Sequence, residues 1–140
     1  MRLTDIDLVY KKLAFIEACV NELRTLGRPE EIRTDLREQR FEAYTLQVAI
    51  QAALDISAHI VSDERLGFAS KNRDYFELLV RYGWLPKELA PALHNMVGFR
   101  NILVHGYEVV NPAQIEKISR HHLDDLLAFV RAIRERLASA

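Results

Sequence analysis

Apolar residues recur at spacings of three and four along most of the chain, which is the period of amphipathic helices. In the first segment this seam consists of Ile6, Val9, Leu13, Ile16, Val20 and Leu23. Thr4, with Asp7 three residues later, is expected to cap this helix at its start. Gly27 and Pro29 are expected to close it. The pattern therefore predicts a long first helix.

The middle of the chain continues the helical pattern. A second helix is expected from about Glu30 or Asp35 to about Ser62, and its apolar positions lie on more than one side, so it should contact several neighbours. The segment from Ser62 to Asn72 is polar and indicates a loop. A shorter helix then carries Tyr75, Phe76, Leu79 and Val80 and ends at Gly83.

Prolines divide the remainder of the chain. Pro91 cannot lie deep in an α-helix, so a fourth helix is expected from near Pro91 to near His105, with Gly106 as its stop. Asn111-Pro112 has the pattern of an N-cap followed by proline at the first helical position. One last helix should then bury Ile115, Ile118, Leu126, Phe129, Ile133 and Leu137. No segment alternates like a strand, so the sequence predicts an all-α, up-and-down bundle of four to five helices.

Composition narrows the class of protein. With 140 residues, 49% hydrophobic and 28% charged, the chain is expected to form one soluble domain over residues 1–140. Its net charge of −1 gives no global basic field, so an anionic partner would need a local patch. Cys19 is alone, which favours a reducing, cytoplasmic location. No apolar run has membrane-spanning length and no residues have metal-ligand spacing, so we expect no membrane, metal or cofactor.

Polar residues interrupt the otherwise apolar run that ends the fourth helix. They are Arg100, Asn101, His105 and, just beyond, Tyr107. At about 100° per residue, one narrow stripe carries His94, Gly98, Asn101 and His105. Arg100 lies in the middle of the opposite, apolar face, about 140° from His105. A guanidinium there is costly unless it is paired or faces a solvated cleft.

Two interpretations of Arg100 remain open on this pattern. It could form a structural salt bridge with an acid of a neighbouring helix, such as Asp55 or Glu42. Alternatively, Arg100 and His105 converge on an anion, because imidazole titrates near neutrality and guanidinium binds phosphate through a planar fork. In an arginine-rich chain a single Arg-x4-His spacing arises readily by chance, so spacing alone does not decide.

The surrounding residues carry a resemblance. MVGFRNILVHGY, Met96 to Tyr107, resembles the signature of the HEPN domains, and specifically of the HepT-type toxins of bacterial and archaeal toxin–antitoxin pairs. That family has an Arg-x4-His-x-Tyr motif, which Arg100, His105 and Tyr107 match, with a polar residue after the arginine, here Asn101. The stretch from Ala49 to Gly67 is similar to the family's long helix, so the resemblance covers most of the chain.

The resemblance implies a metal-independent endoribonuclease without cofactors, acting on an RNA substrate as a homodimer in which both motifs line one cleft. Arg100 and His105 are then expected to be catalytic, with Asn101 in support and His94 as a candidate for the cleft wall. The resemblance also implies a cognate minimal nucleotidyltransferase antitoxin that transfers AMP from ATP onto Tyr107. Such a modification adds phosphate charge and bulk to the cleft, and both oppose RNA binding.

Two alternatives belong to other classes of protein. The first is a non-catalytic HEPN helical module that binds a nucleotidyltransferase partner or a nucleotide without cleaving RNA. The second is a plain helical-bundle dimerisation protein in which Arg100 is structural. The complete set of Arg100, Asn101, His105 and Tyr107 favours the enzyme, because a binding module has no need of a paired base and acid.

Overall fold

The computed structural model describes residues 4–105 and 110–139, and within these ranges it is all-helical without a β-strand, as the sequence predicted. Its six α-helices are α1 Ile6–Thr25, α2 Leu36–Asp63, α3 Asn72–Arg81, α4 Ala90–His105, α5 Pro112–His121 and α6 Leu123–Ala138. Short 3-10 helices, Pro29–Glu31 and Lys87–Leu89, precede α2 and α4. None of the described helices is both long enough and apolar enough to cross a lipid bilayer.

The first helix buries the predicted seam but begins with a different cap. The side chain of Asp5, not Thr4, accepts a hydrogen bond from the backbone N–H of Leu8 at 3.2 Å. The hydroxyl and backbone N–H of Thr4 instead donate to Glu64 Oε2 at 2.8 and 3.0 Å. The buried Thr4 hydroxyl is engaged as a donor to a carboxylate and ties the start of α1 to the end of α2.

The second helix is the centre of the bundle. It follows the N-cap Asp35, whose side chain accepts from the backbone N–H of Arg37 at 2.9 Å. It packs against α1, α3, α4, α5 and α6, which confirms that a helix with apolar residues on several sides contacts several neighbours. The fully buried rings of Phe76 on α3 and Phe129 on α6 meet edge-to-face with their centroids 6.1 Å apart. Helix α4 packs against α2 and α3, and its end lies near solvent.

The last predicted helix is divided in two. His122, with φ −123° and ψ 6°, separates α5 from α6, so the described chain has six α-helices where four to five were expected. The N-cap predicted at Asn111 is confirmed, because its side chain accepts from Ala113 N at 3.0 Å. The division lets α5 pack against α2 and the first 3-10 helix while α6 packs against α1. As a result α5 lies beside α4, with a cleft between them.

Candidate active site

The fourth helix presents the residues singled out in the sequence. Its bounds, Ala90–His105, agree with the prediction, and its inner face buries Leu93, Met96, Val97 and Phe99. Burial decreases in the last turn, where Ile102 and Val104 are 44% and 41% exposed. The end of α4 therefore presents both apolar and polar side chains to the surroundings.

Arg100 has no carboxylate partner among the described residues. It is half-buried, its Nη1 donates to Asn101 Oδ1 at 3.0 Å, and its Nε is buried without an acceptor. Leaving a charged donor unsatisfied in a buried position costs free energy. The guanidinium is therefore held by one neutral hydrogen bond, and part of its donor capacity is unused within the described chain.

The salt bridge considered from the sequence is absent. Asp55 contacts Lys12 Nζ at 3.5 Å and accepts from Gln51 Nε2 at 2.9 Å. Glu42 is fully buried, and neither carboxylate oxygen has a hydrogen bond within the described chain. The structural ion-pair interpretation, which assigned Asp55 or Glu42 to Arg100, is therefore wrong for both acids.

Glu42 has a different physical state from an ion-paired acid. The pKa of its carboxyl is raised to about 8, chiefly by burial and next by the neighbouring Glu38 carboxyl, whose effect is larger than the lowering by the nearby Ser119 hydroxyl. Ser119 Oγ is itself buried without a hydrogen bond, so the two groups are close without forming one of good geometry. A carboxyl with this pKa is mostly protonated at neutral pH, and an uncharged acid does not require a guanidinium.

The 140° separation of Arg100 and His105 is reduced by the course of the arginine side chain. The backbone is helical as far as His105, so the two Cα atoms keep helical spacing. The bond from Arg100 Nη1 to Asn101 Oδ1 turns the guanidinium towards the stripe that also carries His105. His105 is exposed and forms no hydrogen bond with Arg100 or Asn101 in the described chain. Arg100 and Asn101 are thus in contact, with His105 one turn further along α4.

His94 and Tyr107 were also expected at the site. His94 packs towards α3, where its Nε2 is 3.8 Å from Glu77 Oε1, beyond hydrogen-bonding distance, and it also lines the cleft between α4 and α5. Tyr107 and the expected helix stop Gly106 lie outside the described residues. No group of three or more His, Cys, Asp or Glu side chains within residues 4–105 and 110–139 is placed to hold a metal ion.

Sequence reasoning missed the part of the cleft that comes from α5. Gln114, Lys117 and His122 line it opposite His94 and Gly98. The chain pattern showed α5 only as part of an amphipathic helix, and a polar residue on such a helix is normally just solvated. Only the packing of α5 beside α4 brings these side chains to the stripe that carries the motif.

Comparison with known proteins identifies the family to which the chain belongs. A family model described as Ribonuclease HepT-like matches residues 14–133. The chain is 31% identical over 129 residues to the mRNA nuclease HepT of Shewanella oneidensis, covering 91% of this chain and 97% of that protein. It is 32% identical over 108 residues to the tRNA nuclease HepT of Aphanizomenon flos-aquae, covering 77% of this chain and 74% of that protein.

A solved structure agrees with the sequence comparisons. The tri-AMPylated Shewanella oneidensis HEPN toxin in complex with MNT antitoxin has a TM-score of 0.84 with this chain at 31% identity, covering 92% of this chain and 98% of the toxin. The helical fold is therefore that of a HEPN domain, and the helix that carries the motif is α4. This chain belongs to the HepT-like ribonuclease family.

Proposed function

We propose that this chain is a toxin of a toxin–antitoxin pair and a metal-independent endoribonuclease, active as a homodimer whose two copies of Arg100 and His105 line one cleft. The observation that carries the proposal is the guanidinium of Arg100, which has no carboxylate partner in the described chain and is hydrogen-bonded to Asn101, one turn before the exposed His105. An unpaired guanidinium near an imidazole suits a phosphodiester. RNA as the substrate class is supported by the mRNA nuclease and tRNA nuclease relatives.

The reaction is a transesterification followed by release of the leaving strand. The 2′-oxygen attacks the adjacent phosphorus, the O2′–P bond forms and the P–O5′ bond breaks. One copy of His105 takes the proton of the 2′-hydroxyl, and the copy in the second protomer gives a proton to the departing 5′-oxygen. Arg100 neutralises the charge that develops on the phosphoryl oxygens. The products are a 2′,3′-cyclic phosphate and a 5′-hydroxyl.

Asn101 supports this site through the arginine. Its Oδ1 accepts from Arg100 Nη1 at 3.0 Å and so limits the directions in which the guanidinium can point. A half-buried arginine that is positioned before substrate arrives loses less entropy on binding phosphate.

A nucleotidyltransferase antitoxin restrains the enzyme by adenylylating Tyr107. Support comes from the similar Shewanella toxin, which is tri-AMPylated and in complex with an MNT antitoxin. Tyr107 follows His105 by two residues in the sequence, so phosphate attached there brings negative charge close to the cleavage site. That charge repels the RNA backbone.

The test is cleavage of labelled RNA by the purified protein in excess EDTA, after intact mass has shown that Tyr107 is unmodified. We expect wild type to cleave and to leave cyclic-phosphate ends. His105→Ala should lower the rate by roughly 100-fold or more, because it removes both the base and the acid. His121→Ala is the matched control, since it removes an exposed histidine of α5.

Substitution of Arg100 tests whether catalysis needs the two parallel donors of its planar guanidinium. Arg100→Lys keeps the positive charge but cannot bind phosphate through two parallel hydrogen bonds, so we expect the cleavage rate to fall by about tenfold or more. The substrate KM should change less than kcat, because the charge that Arg100 stabilises develops in the transition state. A rate in Arg100→Lys equal to that of wild type would remove Arg100 from the chemistry.

Two results would redirect the conclusion. If unmodified wild type cleaves none of a varied set of RNAs, with or without divalent metal, the non-catalytic HEPN module becomes the better function. If cleavage is lost in EDTA and restored by magnesium, the metal-free mechanism fails while the ribonuclease activity stands.

A further inference from the structure

A cleft of about 430 Å³ opens between α4 and α5, and Arg100, Asn101 and His105 are not among the residues that line it. On the α4 side it is lined by His94 and Gly98, which belong to the same helical stripe as Asn101 and His105. A volume of this size accommodates a small organic ligand. The cleft is thus a continuation of the proposed active site along α4.

The floor of the cleft is apolar. It is formed by the buried side chains of Met96, Phe99 and Ile118, and Ile102 stands at its edge with 44% of its surface exposed. Gly98 leaves space here, because a Cβ at this position would meet no atom within 4 Å. A flat ring can therefore enter beside the helix backbone and bury its face on apolar carbon.

The rim of the cleft is polar and carries no carboxylate among its described residues. Lys117 is exposed and forms no ion pair in the described chain, and Asn95 and Gln114 offer amide donors and acceptors. The acids nearest the two rim histidines are Glu77, 3.8 Å from His94 Nε2, and Asp125, 2.9 Å from His122 Nδ1. Neither acid lines the cleft, so a polyanion meets a cation and amides there.

The distance along α4 matches a strand that runs past the motif. Gly98 and His105 are seven residues apart, about 10 Å along the helix axis. A strand whose phosphate is bound at His105, and which follows the stripe of Asn101 and Gly98 towards the start of α4, would reach the cleft with a neighbouring nucleotide. Unpaired RNA bases are recognised by stacking on apolar or aromatic groups and by hydrogen bonds to their edges. The cleft supplies both kinds of contact.

We propose that the cleft between α4 and α5 binds one base of single-stranded RNA, next to the nucleotide that is cleaved at Arg100 and His105. This inference rests on the proposed function for the position of the strand. The base stacks on Met96 and Phe99, which form the floor of the cleft, and the side chains of Gln114 and Asn95 contact the edge of the base. Lys117 contacts the adjoining phosphate.

Occupancy of the cleft can be observed directly, since Met96 is one of only two methionines and the other is Met1. Protein labelled with carbon-13 at the methionine methyl groups is titrated with 2′-O-methyl RNA decamers of adenosine, cytidine or uridine, which lack the 2′-hydroxyl needed for cleavage. We expect the Met96 signal to shift in proportion to binding, with the Met1 signal unchanged. A preference among the three decamers is expected from the hydrogen bonds at the rim.

A variant that fills the cleft tests whether RNA binding depends on it. Gly98→Leu places a side chain in the open space, and it is compatible with the helix because glycine is a poor residue in a helix interior. The RNA dissociation constant should rise about tenfold, the size of effect seen when a stacked base is lost. Ala14→Leu, which adds the same side chain to the exposed face of α1, is the control and should bind as wild type does. Light scattering should give the same mass for all three proteins.

A second variant tests the same subsite without changing the packing of the cleft. Lys117→Gln on the exposed face of α5 should weaken binding several-fold and reduce its dependence on salt, since one phosphate contact is lost. RNA that binds without shifting Met96, and with equal affinity in Gly98→Leu and Lys117→Gln, would overturn the base subsite. A Met96 shift caused only by a nucleotidyltransferase partner would also overturn it, because the cleft would then be a protein interface.

The two proposals fail separately. If the protein cleaves RNA but the Met96 signal never moves, the subsite is wrong and the ribonuclease remains. If no RNA is cleaved but the decamers shift Met96, the cleft binds nucleotides and the catalytic proposal is wrong.

Discussion

Arg100 is partly buried and Glu42 is fully buried, and the two residues meet the cost of burying a charge in different ways. Glu42 lies inside the bundle, and burial raises the pKa of its carboxyl to about 8, so the group becomes neutral. An arginine cannot lose its proton at any ordinary pH, so Arg100 must keep its charge. It is half-buried at the edge of the fold and its Nε is enclosed, so an anionic ligand would have to bind the part of the guanidinium that remains exposed. The residue type thus decides which of the two positions becomes a site.

The state of Glu42 predicts a pH-dependent stability. The folded pKa is about 8 against a usual 4.5, so between these values the folded chain holds a proton that the unfolded chain releases. Wild type therefore loses free energy of unfolding as pH rises through this window. Glu42→Gln has no such proton, so we expect its stability relative to wild type to increase steadily with pH between these two values.

Urea denaturation of both proteins across the window measures this difference. The same substitution at the exposed Glu135 of α6 is the control, and its profile should follow wild type. Parallel profiles for wild type and Glu42→Gln would show that the buried carboxyl does not titrate differently in the folded chain.

At the scale of helices, local sequence predicted most of the helix positions. Pro91 and Gly106 indicated the bounds of α4, and the apolar period located α1 and α2 within a few residues. It failed at His122, because the apolar stripe of α5 continues in phase into α6 and gives no local reason for a break. The acids Asp124 and Asp125, three and four residues after His121, were a usable signal, since acids favour helix starts and histidines favour helix ends.

The candidate site was predictable only where it is contiguous in the chain. Arg100, Asn101 and His105 lie within two turns of one helix, so their spacing already determined their relative directions. Lys117 and Gln114 reach the same stripe through the docking of α5, which depends on contacts with α2. The lack of a carboxylate partner for Arg100 among the described residues was also not predictable, because it depends on Asp55 pairing with Lys12 and on Glu42 being buried away from Arg100.

The N-cap of α5 predicts a loss of stability that can be isolated. The side chain of Asn111 accepts from Ala113 N at 3.0 Å and satisfies a free N–H at the start of the helix. Asn111→Ala should lower the free energy of unfolding by about 1 kcal/mol and the melting temperature by about 3–4 °C. Asn111→Asp retains the capping oxygen and should remain within a degree or so of wild type. Calorimetry that gives equal losses for both variants would assign the effect to something other than the cap.

At the scale of the whole molecule, the end of α4 presents exposed apolar surface within the described chain. Val104 is 41% exposed, and on the helix it lies beside Arg100, whose Nε lacks an acceptor. Exposed apolar surface next to an unsatisfied polar group is the pattern expected where a second copy packs. A two-fold partner on this face brings two copies of His105 near each other, as the proposed acid and base require.

This arrangement predicts that one charge on α4 removes both the dimer and the activity. Val104→Lys places an ammonium group in the proposed interface, where its desolvation opposes association. We expect a folded protein with unchanged helical circular dichroism, the mass of a monomer by light scattering, and RNA cleavage reduced at least tenfold. Phe68→Lys makes the same kind of change at a residue that is 87% exposed in a loop, and it should leave mass and cleavage unaltered. A dimeric Val104→Lys protein would place the interface on another face, and a monomer that cleaves at the wild-type rate would show that one copy of His105 suffices for the chemistry.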